Sequence, residues 1–234
     1  MEAILEDLTK GFSLENLENL LLKYGFTVDI KKEYDTEEFE EKYNVLDIKQ
    51  VGSIRLKQKY DLLAFAIKLE NLTERSSKKN QFEIAKKLLQ KYGKYIGLFV
   101  FYNDGKNFRF SLVFKTPYGE AVKYSPYKRY TFYVNPELPN KTFINQLKNC
   151  NFEDFESIKQ AFSVEPLTKE FYREIQNWYF WALDRVSFPN DYKYSDDPKK
   201  DKEIRNAQNL IRLLTRLIFV WFLKEKKLIP DMLF

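Results

Sequence analysis

No histidine occurs among the 234 residues, and its absence removes a large part of enzyme chemistry. Serine–histidine–aspartate and cysteine–histidine triads, imidazole general bases and histidine-ligated zinc are all excluded. Cysteine is nearly as scarce. Cys150 stands alone, which rules out an intramolecular disulfide and any multi-cysteine metal site, and fits a reducing cytosol. Only seven glycines are present, leaving little room for phosphate-cradling loops. Long apolar runs are missing too: residues 217–223 form an uninterrupted stretch of seven, against roughly 20 for a bilayer span. The amino terminus is acidic and amphipathic, without the basic start and apolar centre of a signal peptide. A soluble, cytoplasmic protein with no membrane partner is expected.

What is abundant points to a packed core. Apolar residues make up 44% and aromatics 17% of the chain, which argues against disorder. The 39 basic residues exceed the 34 acidic ones by five. That bias suits nucleic acid, and it equally suits an ordinary lysine-rich surface.

The periodicity predicts a helix over 13–23, opened by Ser13 as N-cap, then a short strand over 26–30 and a charged helix over 36–43. Strands are expected over 47–57 and 62–69, the second apolar enough to be buried on both faces. An amphipathic, lysine-rich helix over 78–92 leads to a buried strand over 95–102. Asn103, Asp104 and Gly105 then turn the chain into a strand over 108–114. A loop over 116–129, rich in tyrosine, proline and lysine, precedes a last strand over 130–134. Helices follow over 141–148, 152–162, 168–186 and 198–227, the last with Asp197 as N-cap and Pro198 at its first position. The fold class is therefore α/β, a mixed sheet flanked by helices over 1–135, followed by a helical connector over 136–234.

A strand–strand–helix–strand core with a lysine on its buried strand is the layout of the PD-(D/E)XK nuclease fold. In that chemistry carboxylates hold a divalent metal, and a lysine two residues past the second acid helps the attacking water. Asp61 and Lys68 are the nearest match. Ala66 stands where the motif wants an acid, and Glu70 and Glu83 are the candidates for a displaced one. Strict alternation puts Asp61 and Lys68 on opposite faces of the strand. The alternative reading makes Asp61 a hairpin residue and Lys68 a strand-end lysine with its head in water. A second constellation interleaves Lys115, Lys123, Lys128 and Arg129 with Tyr118, Tyr124, Tyr127 and Tyr130. Cations neutralise phosphates and tyrosines stack on bases or bond phosphate oxygens. Lys78, Lys79, Lys86 and Lys87 extend the patch if their helix packs nearby. A solvated loop covering the sheet edge is the alternative.

Longer strings carry more specific information. FRFSLV at 108–113, YKRYTFYV at 127–134, AFSVEPLTKEFY at 161–172 and LLTRLIFVWFLKEKKLIP at 213–230 resemble, in order and spacing, the amino-terminal region of type IIG restriction–methyltransferases. The resemblance runs from about Val51 to the end. It implies a nuclease-like domain and helical connector that precede an adenine-specific DNA methyltransferase domain in a phage-defence enzyme. It also implies an aspartate opening the buried strand (Asp61), a lysine near its end (Lys68), and a basic residue and glutamine on the next helix (Lys78, Gln81). Methyl transfer does not reside in these residues. They contain neither an Asn-Pro-Pro-aromatic tetrapeptide nor a glycine-rich loop for S-adenosylmethionine, so that cofactor belongs to the missing domain.

Two readings stand at this point. In one, the chain is a magnesium-dependent DNA endonuclease domain with Asp61 and Glu70 on the metal, Lys68 and Gln81 assisting, and Glu83 as an alternative acid. In the other, it is a non-catalytic module. Lys78, Lys115, Lys123, Lys128, Arg129 and Tyr130 then hold double-stranded DNA, and the last helix docks the methyltransferase domain. That helix is expected to pack around Trp178 and Trp181 and to leave Phe219, Phe222 and Phe234 exposed. An apolar end at Met232, Leu233 and Phe234 fits a chain that continues into a further domain.

Overall fold

The apolar runs over 61–69, 96–102 and 108–114 become neighbouring strands at the centre of an open mixed sheet, each buried along almost its whole length. The computed structural model describes residues 1–28, 32–33, 35–73, 78–118, 123–163, 165–225 and 228–230. The chain divides into two compact units, Met1–Ser163 and Val164–Phe234.

The first unit contains helices α1 (Glu2–Lys10) and α2 (Leu14–Lys23), the two-residue strand β1 (Lys32–Glu33), α3 (Glu37–Tyr43), β2 (Val45–Arg55), β3 (Asp61–Leu69) and α4 (Lys78–Lys91). It continues with β4 (Ile96–Tyr102), β5 (Phe108–Phe114), the short pair β6 (Pro117–Tyr118) and β7 (Lys123–Tyr124), β8 (Lys128–Val134), α5 (Lys141–Leu147) and α6 (Phe155–Phe162). The sheet order is β1-β2-β3-β4-β5-β8, with β6 and β7 as a separate ribbon. β2 and β3 form an antiparallel hairpin. β3 and β4 are parallel and joined by α4, and the remaining neighbours are antiparallel. Parallel neighbours require such a crossover. Strands covered on both faces read as continuous apolar runs, which is why these were legible.

Alternation along β3 divides the core. Leu62, Ala64 and Ala66 face a cluster built with Leu5 and Leu8 of α1, Leu17, Leu20 and Leu21 of α2, and Phe143, Phe155 and Phe162 of α5 and α6. Leu63, Phe65 and Ile67 face the other cluster, with Phe39 of α3 and Ile84, Leu88 and Leu89 of α4. Helices therefore cover both faces. The α2 cap forms as expected, Ser13 Oγ accepting from the Asn16 amide at 3.1 Å. The buried Tyr24 hydroxyl donates to the Leu147 carbonyl at 2.8 Å and ties α2 to α5. Burial pushes its pKa up, so it remains a donor.

Several expectations change. Helix α1 forms at the terminus whose sequence pattern is amphipathic. Thr27 makes a single bridge to Ser53, and residues 29–30 of the expected strand lie outside those described. β8 begins at Lys128, two residues early. The unit extends to Ser163 because α5 and α6 complete the sheet's own core, whereas a connector was expected from residue 136.

The second unit pairs α7 (Glu165–Leu183) with α8 (Pro198–Glu225). Asp197 caps α8 as expected, accepting from the Lys199 amide at 2.9 Å. One turn further, Asp201 accepts from the Tyr194 and Ser195 amides at 2.6 and 3.1 Å and pairs with Arg205 at 3.0 Å. Asn206 accepts from the Phe188 amide and donates to the Val186 carbonyl. The buried polar face of α8 thus fixes the preceding loop. Beyond Leu210 the helix is largely exposed, Phe219, Trp221 and Phe222 among its side chains. Trp178 and Trp181 sit against each other, both exposed, and Phe234 lies outside the described residues. Among the described residues no helix is long and apolar enough to cross a membrane.

Candidate nucleic-acid interface

The β2–β3 hairpin decides where the two motif residues go. Its turn closes with the Leu56 amide on the Tyr60 carbonyl at 2.8 Å, with Lys59 in the left-handed region at φ 64°. Asp61 therefore opens β3 directly across from Arg55. Lys68 lies seven residues on, roughly 23 Å away at about 3.3 Å per residue, and on the opposite face. The structure does not bring Asp61 and Lys68 together.

At its own end Asp61 is already engaged. Its carboxylate accepts from Lys94 Nζ at 2.9 Å and from Arg55 Nη1 at 2.6 Å. These hydrogen bonds, the one from Lys94 foremost, hold its pKa below the ordinary aspartate value. It is a bridge between two cations.

Around Lys68 a different group assembles. Its ammonium pairs with Asp104 at 2.7 Å. Asp47 of β2 is its cross-strand partner on one side and Tyr102 of β4 on the other. Asp47 in turn pairs with Lys49 at 3.0 Å. Burial, then the Asp47 charge, raises the Tyr102 hydroxyl. Glu70 lies just past the strand, accepting from Asn44 Nδ2 at 2.5 Å. Asp61 and Glu70 thus occupy opposite ends of β3, too far apart to bridge one ion. Among the described residues no three acidic or cysteine side chains gather closely enough to hold a metal. Magnesium does not fit the Asp61–Glu70 set.

On α4, Glu83 pairs with Lys86 at 2.8 Å, which lowers its pKa. Gln81 is wholly buried, and among the described residues neither of its amide atoms has a hydrogen-bond partner. It shares its helix face with Ile84 and Leu88, which pack against the side of the sheet away from Lys68. Neither residue joins the Lys68 group.

The basic and aromatic constellation converges better. The strand ends bring Lys115, Tyr95 and the β6–β7 ribbon to the pole where Asp61 sits. The Lys115 amide donates to the Tyr95 carbonyl at 2.8 Å, and its ammonium lies 4.3 Å from the centre of the Tyr127 ring. Tyr127 donates to the Lys94 carbonyl at 2.8 Å. The rings of Tyr95 and Tyr124 stack at 4.2 Å with 4° between their planes, and Tyr60 meets Tyr95 edge-on at 6.1 Å. A hydrogen bond with Tyr60 is the chief reason the Tyr124 hydroxyl is raised to about 12. Lys123 and Lys128 are exposed.

Other expected phosphate contacts are placed otherwise. Arg129 is half-buried, lies over the Phe82 ring and donates to the Lys78 carbonyl, and burial lowers its pKa. Tyr130 packs on Phe114. Lys78 is exposed at the start of α4. Sequence reasoning missed Arg55, Lys94, Tyr60 and Tyr95 at this pole, and Asp47 and Asp104 beside Lys68. The repeated lysine–tyrosine neighbours, Lys59-Tyr60, Lys94-Tyr95 and Lys123-Tyr124, were the available signal. Comparison with protein-family models, curated proteins and solved structures finds no match to this chain.

Proposed function

We propose that this protein is a DNA-backbone-binding and docking module on a nuclease-like α/β frame, one that holds duplex DNA without cutting it. The observation that carries this is the pole around Tyr95. Arg55, Lys59, Lys94, Lys115, Lys123 and Lys128 collect there beside a tyrosine stack, with Asp61 largely spent on two of them. Cations on a rigid surface hold phosphates through charge and released counterions, without reading sequence. The hairpin followed by a helical crossover to a parallel strand supports the PD-(D/E)XK-like frame. The neutralised Asp61 and the apolar burial of Ala66 support a frame that no longer cleaves. Binding to a methyltransferase domain is assigned to the second unit. Its α7 and α8 leave a groove of about 430 Å³ lined by Tyr172, Tyr179, Phe180, Ile211, Leu214 and Ile218. Exposed apolar patches of this kind mark partner surfaces.

One observation favours a second reading, magnesium-dependent cleavage: Asp47 and Asp104 flank Lys68. Magnesium commonly takes one or two carboxylates and completes its shell with waters and phosphates, so an ion would sit at this pair. There it would supply a polarised phosphate and an activated water.

Charge reversal separates the two. The Lys123→Glu/Lys128→Glu double variant should weaken duplex binding similarly for unrelated sequences. Unchanged affinity would remove this pole from the interface, and cleavage lost on Asp47→Asn would favour the second reading.

A further inference from the structure

The tyrosines at the basic pole ask for more than phosphate. Tyr95 and Tyr124 come from different parts of the chain, one at the entry to β4 and the other on the β6–β7 ribbon, yet their rings lie nearly parallel at 4.2 Å. Tyr60, from the β2–β3 turn, braces the pair edge-on. Tyr95 remains 39% exposed. The ribbon itself is anchored by the Ser125 amide on the Thr116 carbonyl at 2.9 Å and the Thr116 amide on Ser125 Oγ at 3.0 Å. Tyr127 fixes the neighbouring loop through Lys94 and holds the Lys115 ammonium over its ring. The result is a preorganised aromatic surface with lysines on several sides.

A duplex engages the lysines of this pole but makes little use of the ring faces. Its base faces are stacked on one another, so it offers the protein phosphates and groove edges. An unpaired base presents a free face, and stacking on an aromatic ring is tolerant of sequence. Because the tyrosines are already ordered, little side-chain freedom is lost when a base adds to the stack.

We propose that the Tyr95–Tyr124 stack is a platform for unpaired bases, so that single-stranded nucleic acid is the preferred ligand of this pole. This rests on the nucleic-acid reading above and specifies the form of ligand that site takes. Lys115, Lys123 and Lys128 hold the backbone on either side while a base extends the ring stack.

The experiment compares a fluorescein-labelled single-stranded oligodeoxynucleotide with the duplex of the same sequence, by anisotropy in one buffer. Single-stranded DNA should bind more tightly. Tyr124→Ala should lower single-strand affinity by on the order of tenfold while leaving duplex affinity within about twofold. Tyr124→Phe, which keeps the ring, should retain single-strand affinity. Tyr95→Ala provides an independent removal of the platform should Tyr124→Ala disturb the ribbon. A duplex preference with no effect of either alanine variant would overturn the platform and leave backbone binding standing. Equal losses for both DNA forms would overturn it as well. Absence of binding to either form would overturn backbone binding and the platform together.

Discussion

Replacing Asp61 by asparagine should strengthen DNA binding, an effect opposite to what a metal-binding aspartate would show. Asp61 holds Lys94 at 2.9 Å and Arg55 at 2.6 Å. Neutralising it raises the local charge by one and frees two cations, equivalent to gaining between one and two phosphate contacts. Each contact changes the slope of log K against log salt by about 0.9. The slope should therefore steepen by about 0.9 to 1.8, and affinity near 0.1 M salt should rise by roughly 8- to 60-fold. The fold should tolerate the change, because ion pairs this exposed contribute at most about 1 kcal/mol. Its depressed pKa means that Asp61 is fully ionised at neutral pH, so the wild-type protein is measured with the clamp in place. The assay is anisotropy of a labelled duplex between about 50 and 200 mM salt, with thermal melting as the control. Unchanged or weaker binding by a well-folded Asp61→Asn protein would refute the reasoning.

Three further outcomes test other parts of the structure. A methyl group added at Gly97 would lie 2.7 Å from Phe99 Cε2 and 2.9 Å from Leu89 Cδ2. Gly97→Ala should therefore cost about 1–3 kcal/mol in denaturant unfolding, and a loss of only a few tenths would contradict the close seating of α4 on β4. The pKa of Asp201 is lowered chiefly by the Tyr194 amide, with Ser195 and Arg205 adding to it. A depressed carboxylate contributes stability above its unfolded pKa of about 3.9 and loses it as pH falls towards the folded value. Asp201→Asn should thus destabilise the second unit at neutral pH, by a margin that narrows below about pH 4; a margin that widens on acidification would contradict the assignment. Finally, Phe219, Trp221 and Phe222 are exposed on α8, so the chain should self-associate in sedimentation and Phe219→Lys/Phe222→Lys should suppress this, whereas a monodisperse wild-type monomer would argue against a docking face.

The central strands were legible because burial on both faces leaves an unmistakable apolar run. The pairing of β2 with β3 was not. Counting back from Arg55 opposite Asp61 without interruption would set Ile48 across from Lys68. The register shift between Gln50 and Gly52 brings Asp47 there instead. A bulge depends on local backbone and packing, and only Gly52 hinted at one. The limit of the first unit was hidden for a different reason. The amphipathic patterns over 141–147 and 155–162 declare helices, but a pattern does not name the surface that Phe143 and Phe155 cover. At the candidate site, the lysine and tyrosine chemistry over 115–130 was readable locally. The convergence of Tyr60, Tyr95 and Tyr124 was not, since sheet order alone unites them. Arg129 shows the reverse error, a cation whose guanidinium is taken up by Phe82 and the Lys78 carbonyl.

The central claim is that this α/β unit holds the DNA backbone by charge and leaves it intact. Duplex binding measured across salt with magnesium present, followed by electrophoresis of the recovered DNA, tests both halves at once. Lys59, Lys115, Lys123 and Lys128 form no ion pairs among the described residues. If they engage about four phosphates, the log–log slope should be near −3.6, with the DNA recovered uncut. A flat salt dependence, or DNA cut by the wild-type protein and spared by Asp47→Asn, would contradict the account.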